Sequence, residues 1–489
     1  MKEAKIHSVG YNFIMNFLLT ASSFLFPLIT FPYVSRVLQA TAMGRVSFVA
    51  SVANYFLMVA SLGIPTYAIR ACAQVRDDRK QLSKVAQEIL IINLIATALV
   101  MVTYGVMIVT VPRFRSDTTL FLINGVQIIL NAIGVNWLYQ ALEQYDYITI
   151  RSVLFKIASV VLMFLFVKSE GDYVIYGAIT VFAAAGANVL NLIRMWRYVD
   201  LKKEGKYEFR RHLKPIFVLF AQNAAVSVYT NLDTVMLGFM KGDYEVGLYS
   251  AAVKIKAVLL SLVTSLGNVL LPRMSYYAKQ NDTERFQNTA VSALNFTMML
   301  SVPLALFFTM YAGDSILLLA GAGYAGAVLA TQLLTVAVVP NGLTGVLGVQ
   351  VLTAESREKC VLYSVIGGAV IDFALNLVFI PKYGVAGAAL ATMIAEFGVL
   401  AIQMFYTRGL LRRILRTIRA WAYVLAALAG AALGMVASLF TIDAVVLRLL
   451  LRAALFGIGY GLVLLLLREP LLLKILSKIF RKKQKDQEA

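Results

Sequence analysis

Asn12, Asn16, Thr20, Ser23 and Pro27 are spaced by four, four, three and four residues, so on a helix they share one face. Ser47, Ser51, Asn54, Met58 and Ser61 form a second such row, and Asn223, Ser227, Thr230 and Thr234 a third, with Gln222, Asn231 and Asp233 beside it. A fourth row runs Ser250, Lys254, Ser261, Ser265 and Asn268. Amides and hydroxyls arranged this way can replace water around a hydroxylated ligand, and Lys254 can hold an anion. Helix–helix packing is the competing use of Ser, Thr and Asn in apolar surroundings. It is the better account of any one of them, whereas the coordinated set points to a water-accessible cavity.

Lys254 lies about eight residues into its apolar run, ~12 Å of helix rise. Two readings of it stay open: anion binding, and an ion pair with Asp233 on the neighbouring helix. Lys256 points to nearly the opposite face, toward Tyr249, Ala252 and Val263, and is expected to snorkel outward. Arg36 and Arg45 flank the first outer loop and reach the mouth of such a cavity, with interfacial anchoring as the alternative. Asp372 and Glu396 are acids inside apolar runs. They could carry a coupling cation or proton, or stay neutral and hydrogen-bonded. Glu143 and Asp146 are expected to pair with Arg151 or Lys156.

The elements that must position these residues follow from composition. The chain has 489 residues, 60% hydrophobic and 15% charged, with mean hydropathy +0.76. Soluble domains average about 45–50% apolar and roughly 25% charged, so a soluble multidomain enzyme is excluded. Spanning helices need about 20 mostly apolar residues. Fourteen such runs are predicted, at 11–33, 43–65, 85–110, 119–139, 150–168, 173–193, 215–239, 246–271, 286–311, 325–352, 361–380, 384–406, 421–440 and 445–467. The fold class is thus an all-α polytopic membrane protein. No cleavable signal is expected, because 11–33 is too long for one.

Fourteen crossings put both termini on one side, and Lys and Arg choose that side. With the termini cytoplasmic, the outer segments hold only Arg36, Arg45, Arg113, Arg115, Lys168, Lys241, Lys382, Arg448 and Arg452, and nearly all other basic residues are inside. The net charge of +19 therefore faces the anionic inner leaflet, including the basic tail 478–485, and nucleic acid is not an expected partner. Two cysteines, Cys72 and Cys360, exclude a disulfide scaffold. Two histidines, His7 and His212, leave almost nothing for a metal or nucleophile site. No phosphate loop and no H-E-x-x-H helix occurs. No catalytic residue, metal or cofactor is expected, and the chain is not read as an enzyme.

The charged segment 194–214 divides two halves that resemble each other. Gly44, Ser47 and Arg70 match Gly247, Ser250 and Arg273 at an offset of 203, and Ser61-Leu62-Gly63 and Asp78 match Ser265-Leu266-Gly267 and Asp282 at 204. Six helices per half preserve orientation, which makes this a parallel repeat, and transporters so built hold substrate between the halves.

Four stretches carry a family resemblance: FPYVSRVLQATAMGRVSFVASVANYFLMVASLGIPTYAIR (31–70), NWLYQALEQYDYITIRS (136–152), NLDTVMLGFMKGDYEVGLYSAAVKI (231–255) and IPKYGVAGAALATMIAE (380–396). Together, in this order, they resemble the polysaccharide transporter (Wzx-like) flippases of the multidrug/oligosaccharidyl-lipid/polysaccharide (MOP) superfamily. One departure is Gln39-Ala40, where relatives usually carry Gly in the R-V-L-G turn. The resemblance implies a V-shaped, MATE-like fold of two six-helix lobes plus two extra helices. On this chain that gives 1–200 as N-lobe, 201–214 as a basic cytoplasmic linker, 215–410 as C-lobe, and 411–489 as the last two helices and basic tail.

The same resemblance implies transfer of an undecaprenyl-pyrophosphate-linked oligosaccharide from the inner to the outer leaflet by alternating access. The product would be capsule, O-antigen, teichoic acid or exopolysaccharide, made at a bacterial cytoplasmic membrane. Membrane lipids are implied partners, with a polysaccharide polymerase and other assembly proteins as candidates. Lys254, assisted by Arg36 or Arg45, is assigned to the pyrophosphate, and Asn12, Asn16, Asn54, Gln222, Asn223 and Asn231 to the sugar. Asp233, Glu396 and Asp372 are the candidates for coupling to H⁺ or Na⁺ alongside the membrane potential. The rival readings are a cation-coupled multidrug exporter, which calls for acidic cavity residues, and a lipid II flippase. A membrane glycosyltransferase or polymerase would need paired acids on a sizeable outer loop, which this chain lacks.

Overall fold

Hydrocarbon offers a peptide group no hydrogen-bond partner, so a chain this apolar must satisfy its backbone within helices. The computed structural model describes residues 8–473 apart from 201, 204, 266, 411–416 and 440–441, and every regular element among them is helical. His7, the basic tail and Arg412, Arg413 and Arg416 lie outside the described residues. The main helices are α1 (Val9–Ser61), α2 (Ile64–Ala73), α3 (Arg79–Thr110), α4 (Thr118–Ile133), α5 (Asn136–Ala141), α6 (Tyr145–Phe166), α7 (Tyr173–Val181), α8 (Asn188–Met195), α9 (Arg210–Met240), α10 (Asp243–Thr264), α11 (Gly267–Lys279), α12 (Thr283–Met310), α13 (Val328–Val336), α14 (Glu358–Tyr406), α15 (Ala420–Val436) and α16 (Val445–Leu466). Ten helical stretches among the described residues are long and apolar enough to cross a membrane.

Two of the longest helices are interrupted. α1 breaks at Gln39, where φ is 58°, and α14 at Gly384, where φ is 54°. A positive φ suits glycine at the second break. At the first, the Gln39 side chain donates to the Arg36 carbonyl at 2.5 Å, a local bond that holds the turn without glycine. Other predicted spans shift. The run 246–271 ends as a helix at Thr264, and 325–352 is divided at Ala337 before a π-helical stretch at Gly345–Leu352. The run 150–168 starts at Tyr145, which carries Arg151 and Lys156 from the helix end into its interior.

The chain forms two compact units, Met1–Ser250 and Ala251–Ala489. In the first, α1 packs on α3, α4, α6 and α9. Its core gathers Ile64, Cys72, Leu82, Ile89, Trp137, Leu138 and Ile216. In the second, α12 packs on α13 and α15, and α13 on α14, around Met274, Phe286, Leu294 and Val346. The α15–α16 hairpin is tied to this unit. Tyr423 donates to Asn295 of α12 at 3.4 Å, Arg448 to Asp314 at 2.5 Å, and Arg452 also binds Asp314.

The sequence repeat has physical content. Asp78 caps α3 by accepting from the Lys80 and Gln81 amides, and its counterpart Asp282 caps α12 by accepting from the Arg285 amide. The helix breaks after Ser61 and again after Thr264, each break preceding a short helix. Gly44 and Gly247 are repeat partners, as Ala40 and Asp243 are at the same offset. A Cβ on Gly44 would collide with the Asp243 carbonyl, and one on Gly247 with the Ala40 carbonyl. Each member of one pair thus meets a member of the other, the reciprocal pattern of a two-fold contact.

The basic segment before α9 is docked rather than left to the lipid surface alone. Arg79 pairs with Asp200 at 2.6 Å, Lys84 with Glu208 at 2.7 Å and Arg211 with Glu88 at 2.7 Å. His212 lies buried between Tyr67 and Glu88, 2.7 Å from each.

Because neither carbonyl can retreat without moving its helix, Gly44→Ala and Gly247→Ala should each destabilise the protein by about 1–3 kcal/mol. Gly105→Ala, whose Cβ meets open space, should leave stability equal or slightly raised. Thermal unfolding of the three purified variants checks this, and equal midpoints would remove the close-packing account.

Candidate functional site

The polar rows of the first unit are open in part, and Ser47, Ser51, Ser61, Ser227 and Thr234 are half-buried. Asn16, Thr20, Ser23, Asn54, Asn223 and Thr230 are exposed. Several hydroxyls bond back to their own helix: Thr20 to Asn16, Ser23 to Leu19 and Thr230 to Val226, at 2.9, 3.1 and 3.0 Å. This satisfies the donor while the oxygen keeps acceptor capacity. The Asn54 amide donates to Asn231 at 3.4 Å and Tyr55 to the Val228 carbonyl at 3.2 Å, which joins α1 to α9. Asn12 differs: it is buried and donates to Glu143 at 3.3 Å. The side chains of Gln222 and Asn268 lie outside those described.

The intramembrane charges sort by their company. Lys254 is exposed, and among the described residues no carboxylate or hydrogen-bond acceptor reaches it. Asp233, its proposed partner, is buried and accepts instead from the Tyr249 hydroxyl. Lys256 does not snorkel outward. It turns into the second unit and pairs with Glu396 at 3.0 Å, 13% exposed against 4%. Asn341 donates to the same Glu396 oxygen at 2.6 Å. Desolvation explains the correction, since two opposite charges on neighbouring apolar helices lower each other's cost by pairing. Asp372 is fully buried on α14.

The expected ion pairs of Glu143 and Asp146 with Arg151 or Lys156 do not form among the described residues. Glu143 instead pairs with Arg76 at 2.6 Å. Arg151 donates to the Ala187 carbonyl and to Asn136, at 2.7 and 2.8 Å. Lys156 donates to Ser22 and Ser23. Both basic side chains start inside α6, beyond the reach of acids at its end.

Arg36 is exposed and donates to the Pro32 carbonyl at 2.5 Å. Arg45 belongs to an ionic cluster. It donates to the Tyr173 hydroxyl at 3.2 Å and lies 3.6 Å from Asp243 and 4.0 Å from Asp117. Arg113 binds both acids and stacks over Phe48. Burial pushes the Asp117 carboxyl above its ordinary value against the attraction of Arg45, Asp243 adds to the rise, and Ser116 and Arg113 oppose it. Arg113 and Asp117 stand four residues apart, the one spacing signal in the cluster, whereas Arg45 and Asp243 come from distant helices and meet them only in the fold.

The long apolar helices define a polytopic membrane protein. Residues 9–278 match the family model described as Polysaccharide biosynthesis protein, and residues 219–378 match the MatE model. The first match covers more than half of the chain, which belongs to that family of Wzx-like transporters in the MOP superfamily. The chain is 24% identical over 406 residues to a putative O-antigen transporter of Escherichia coli (strain K12), covering 82% of this chain and 97% of the relative. To a putative O-antigen transporter of Shigella dysenteriae it is 24% identical over 391 residues, covering 79% and 96%. Among solved structures it resembles lipid II flippase MurJ in an inward closed conformation, with TM-score 0.74 at 16% identity over 94% of this chain and 100% of that one. It also resembles an inward-facing multidrug resistance MATE family transporter, with TM-score 0.63 at 15% identity over 79% and 96%. At these identities the structural likeness establishes the fold.

Two outcomes follow from the charges. Glu396→Gln strands the Lys256 ammonium and should cost about 3–5 kcal/mol, whereas a Lys256→Met/Glu396→Leu double variant should recover most of it. Denaturation midpoints decide, and a double variant no better than the single one contradicts the pairing. Asp117 binds its proton more readily in the folded state than an ordinary aspartate. The fold therefore holds more protons than the unfolded chain between the usual aspartate value and the raised one, and this contribution to stability falls as pH rises through that window. Asp117→Asn should remove that component of the slope of midpoint against pH, and an unchanged slope speaks against it.

Proposed function

We propose that this protein carries an undecaprenyl-pyrophosphate-linked oligosaccharide from the cytoplasmic to the outer leaflet by alternating access, for assembly of a surface polysaccharide. One observation carries the reading furthest: Lys254 is a cation inside an apolar helix, and no carboxylate among the described residues neutralises it. Such a charge is costly in hydrocarbon and marks an ion or substrate path. A diphosphate is the partner that this family's cargo supplies.

The cargo has a hydrophilic, anionic head and a long apolar tail. Moving the head through bare hydrocarbon is prohibitive, because its charge and hydroxyls find no partners there. Exposed Asn16, Asn54 and Asn223 and half-buried Asn231 serve the sugar, while Lys254 and Arg36 hold the diphosphate. The tail stays in lipid throughout. Arg45, engaged with two acids, assists at the mouth by exchanging one of them for the anion. A potential negative inside favours outward movement of an anion by roughly 2.3 kcal/mol per charge per 100 mV. Asp233, Asp372 and the Lys256-bound Glu396 are the carboxylates offered to a returning proton or Na⁺.

Counting α1 and α14 as two crossings each, and adding α9 and α15, supports fourteen crossings with both termini cytoplasmic. Two six-helix lobes and a terminal pair fit that number, and the polymerase acting on the delivered sugar is a natural neighbour. The cation at position 254 speaks against a cation-coupled drug exporter, whose site calls for acid. A lipid II flippase shares the chemistry and differs in phenotype: its loss causes lysis, whereas loss of this protein should remove a surface polymer.

Lys254→Gln should abolish export of the lipid-linked sugar at undiminished membrane abundance, and Lys254→Arg should retain much of it. Surface polymer staining with quantified membrane protein measures both. Normal export by Lys254→Gln would withdraw the assignment.

A further inference from the structure

Lys156, like Lys254, is an intramembrane lysine that no carboxylate among the described residues pairs with. It sits in the middle of the 22-residue helix α6, with roughly 15 Å of helix on either side. That depth matches the centre of a hydrocarbon core about 30 Å thick. The lipid side of α6 is marked by exposed Ile150, Leu154, Ile157, Val161 and Leu165. Lys156 lies on the other side, in a row with Thr149, Ser152, Ser159 and Met163. Thr149 donates to the Met15 carbonyl at 2.9 Å, which sets this row against α1.

The lysine is held rather than loose. Its ammonium donates to Ser22 Oγ at 2.8 Å and to Ser23 Oγ at 2.9 Å. Both serines donate onward to the Leu19 carbonyl, at 2.7 and 3.1 Å, so each hydroxyl turns a lone pair toward the lysine. Ser23 belongs to the open row of Asn16 and Thr20. An ammonium has three N–H donors. Two are used by the serines, and the third remains together with the full positive charge. Among the described residues no carboxylate lies within ion-pairing distance of it. Lys256 shows the opposite solution, a largely buried ammonium neutralised by Glu396.

We propose that Lys156, oriented by Ser22 and Ser23, is a second binding residue for the diphosphate of the carried lipid, contacting it midway through the membrane. The proposal rests on the flippase reading above and adds a residue that reading does not use. Ordinary phospholipid headgroups remain at the membrane surfaces, so the anion that reaches this depth is one in transit.

The test uses the full-length protein in phosphatidylcholine nanodiscs, with undecaprenyl diphosphate as probe and uncharged undecaprenol as control. Lys156→Gln should weaken diphosphate binding about tenfold or more, the worth of one charged hydrogen bond. Lys156→Arg should stay within about threefold of the parent, since it keeps the charge and its donors. Undecaprenol should bind all three alike. Diphosphate affinity unchanged in Lys156→Gln overturns the proposal. So does a parallel loss of undecaprenol, which indicates a packing role, and so does displacement of the diphosphate by added phosphatidylglycerol, which indicates a bulk-lipid contact.

Should Lys156→Gln not fold, the Ser22→Ala/Ser23→Ala variant decides. It keeps the charge and loses its anchor, and should weaken diphosphate binding several-fold with undecaprenol unaffected; unchanged affinity overturns the proposal. A Lys254→Gln arm separates this idea from its parent. Full affinity there with a loss in Lys156→Gln removes Lys254 from the site and keeps Lys156. A wild type that does not distinguish diphosphate from undecaprenol removes both.

Discussion

The cost of an uncompensated charge in hydrocarbon governs this molecule. An ammonium moved from water into a medium of low dielectric constant faces an idealised penalty of order 20 kcal/mol, and several kcal/mol after relaxation. Each basic side chain inside the apolar helices answers that penalty differently. Lys256 takes a carboxylate that an asparagine amide also holds. Arg151 takes a backbone carbonyl and Asn136. Lys156 takes two hydroxyls, and Lys254 stands exposed on α10. The first two are closed arrangements that stabilise a fold. The last two leave charge available, which a purely structural residue has no reason to do.

Closed arrangements also make the frame against which the open ones act. At the end of the first unit that carries Arg45, two arginines and two aspartates join α1 to the segment preceding α4 and to the first residue of α10. Close by, Gly44 and Gly247 bring the backbones of α1 and α10 into contact that no side chain could share. At the α9 entry, Glu88, His212, Arg211 and Lys84 dock the linker to α3. The helices bearing the polar rows are thus pinned near their ends, while Asn16, Thr20, Ser23, Asn54, Asn223 and Thr230 in those rows remain exposed. Stiff ends and an open middle suit a carrier, because a rigid element can move as a body without losing the geometry that recognises its cargo.

Much of this was legible in the chain of residues. Period-four spacing of Asn, Ser and Thr marked the rows because a helix is the one way to satisfy an apolar backbone, and the helix fixes which residues share a face. The repeat was legible too, down to Asp78 and Asp282 as helix caps. What escaped was whatever depends on contacts between distant residues. Lys256 was assigned outward because its own helix offers it only Tyr249, Ala252 and Val263, and its partner Glu396 lies 140 positions away. Lys156 reads from sequence as a residue near the inner end of the run 150–168, and the helix in fact starts five residues earlier, at Tyr145, which sets Lys156 ~7.5 Å further from the helix end. The row Thr149, Ser152, Lys156, Ser159 was the available signal, the same spacing that marked α1. Gln39 was noted as a departure in a glycine turn, and its side-chain bond to Arg36 shows how the turn survives the change.

Transport asks for binding that is adequate and no more. A diphosphate neutralised by a carboxylate-free lysine and a few hydroxyls exchanges its hydration for contacts of similar strength, each charged hydrogen bond contributing about 1.5–3 kcal/mol. A bidentate arginine cage would hold it more firmly and release it more slowly. Lysine presents a compact, flexible charge, and serines that also bond their own helix can relax back to it when the anion leaves. The chain's choice of lysine, serine and asparagine inside its apolar helices, with arginine kept largely to the helix ends, is the composition expected of a passage rather than of a trap.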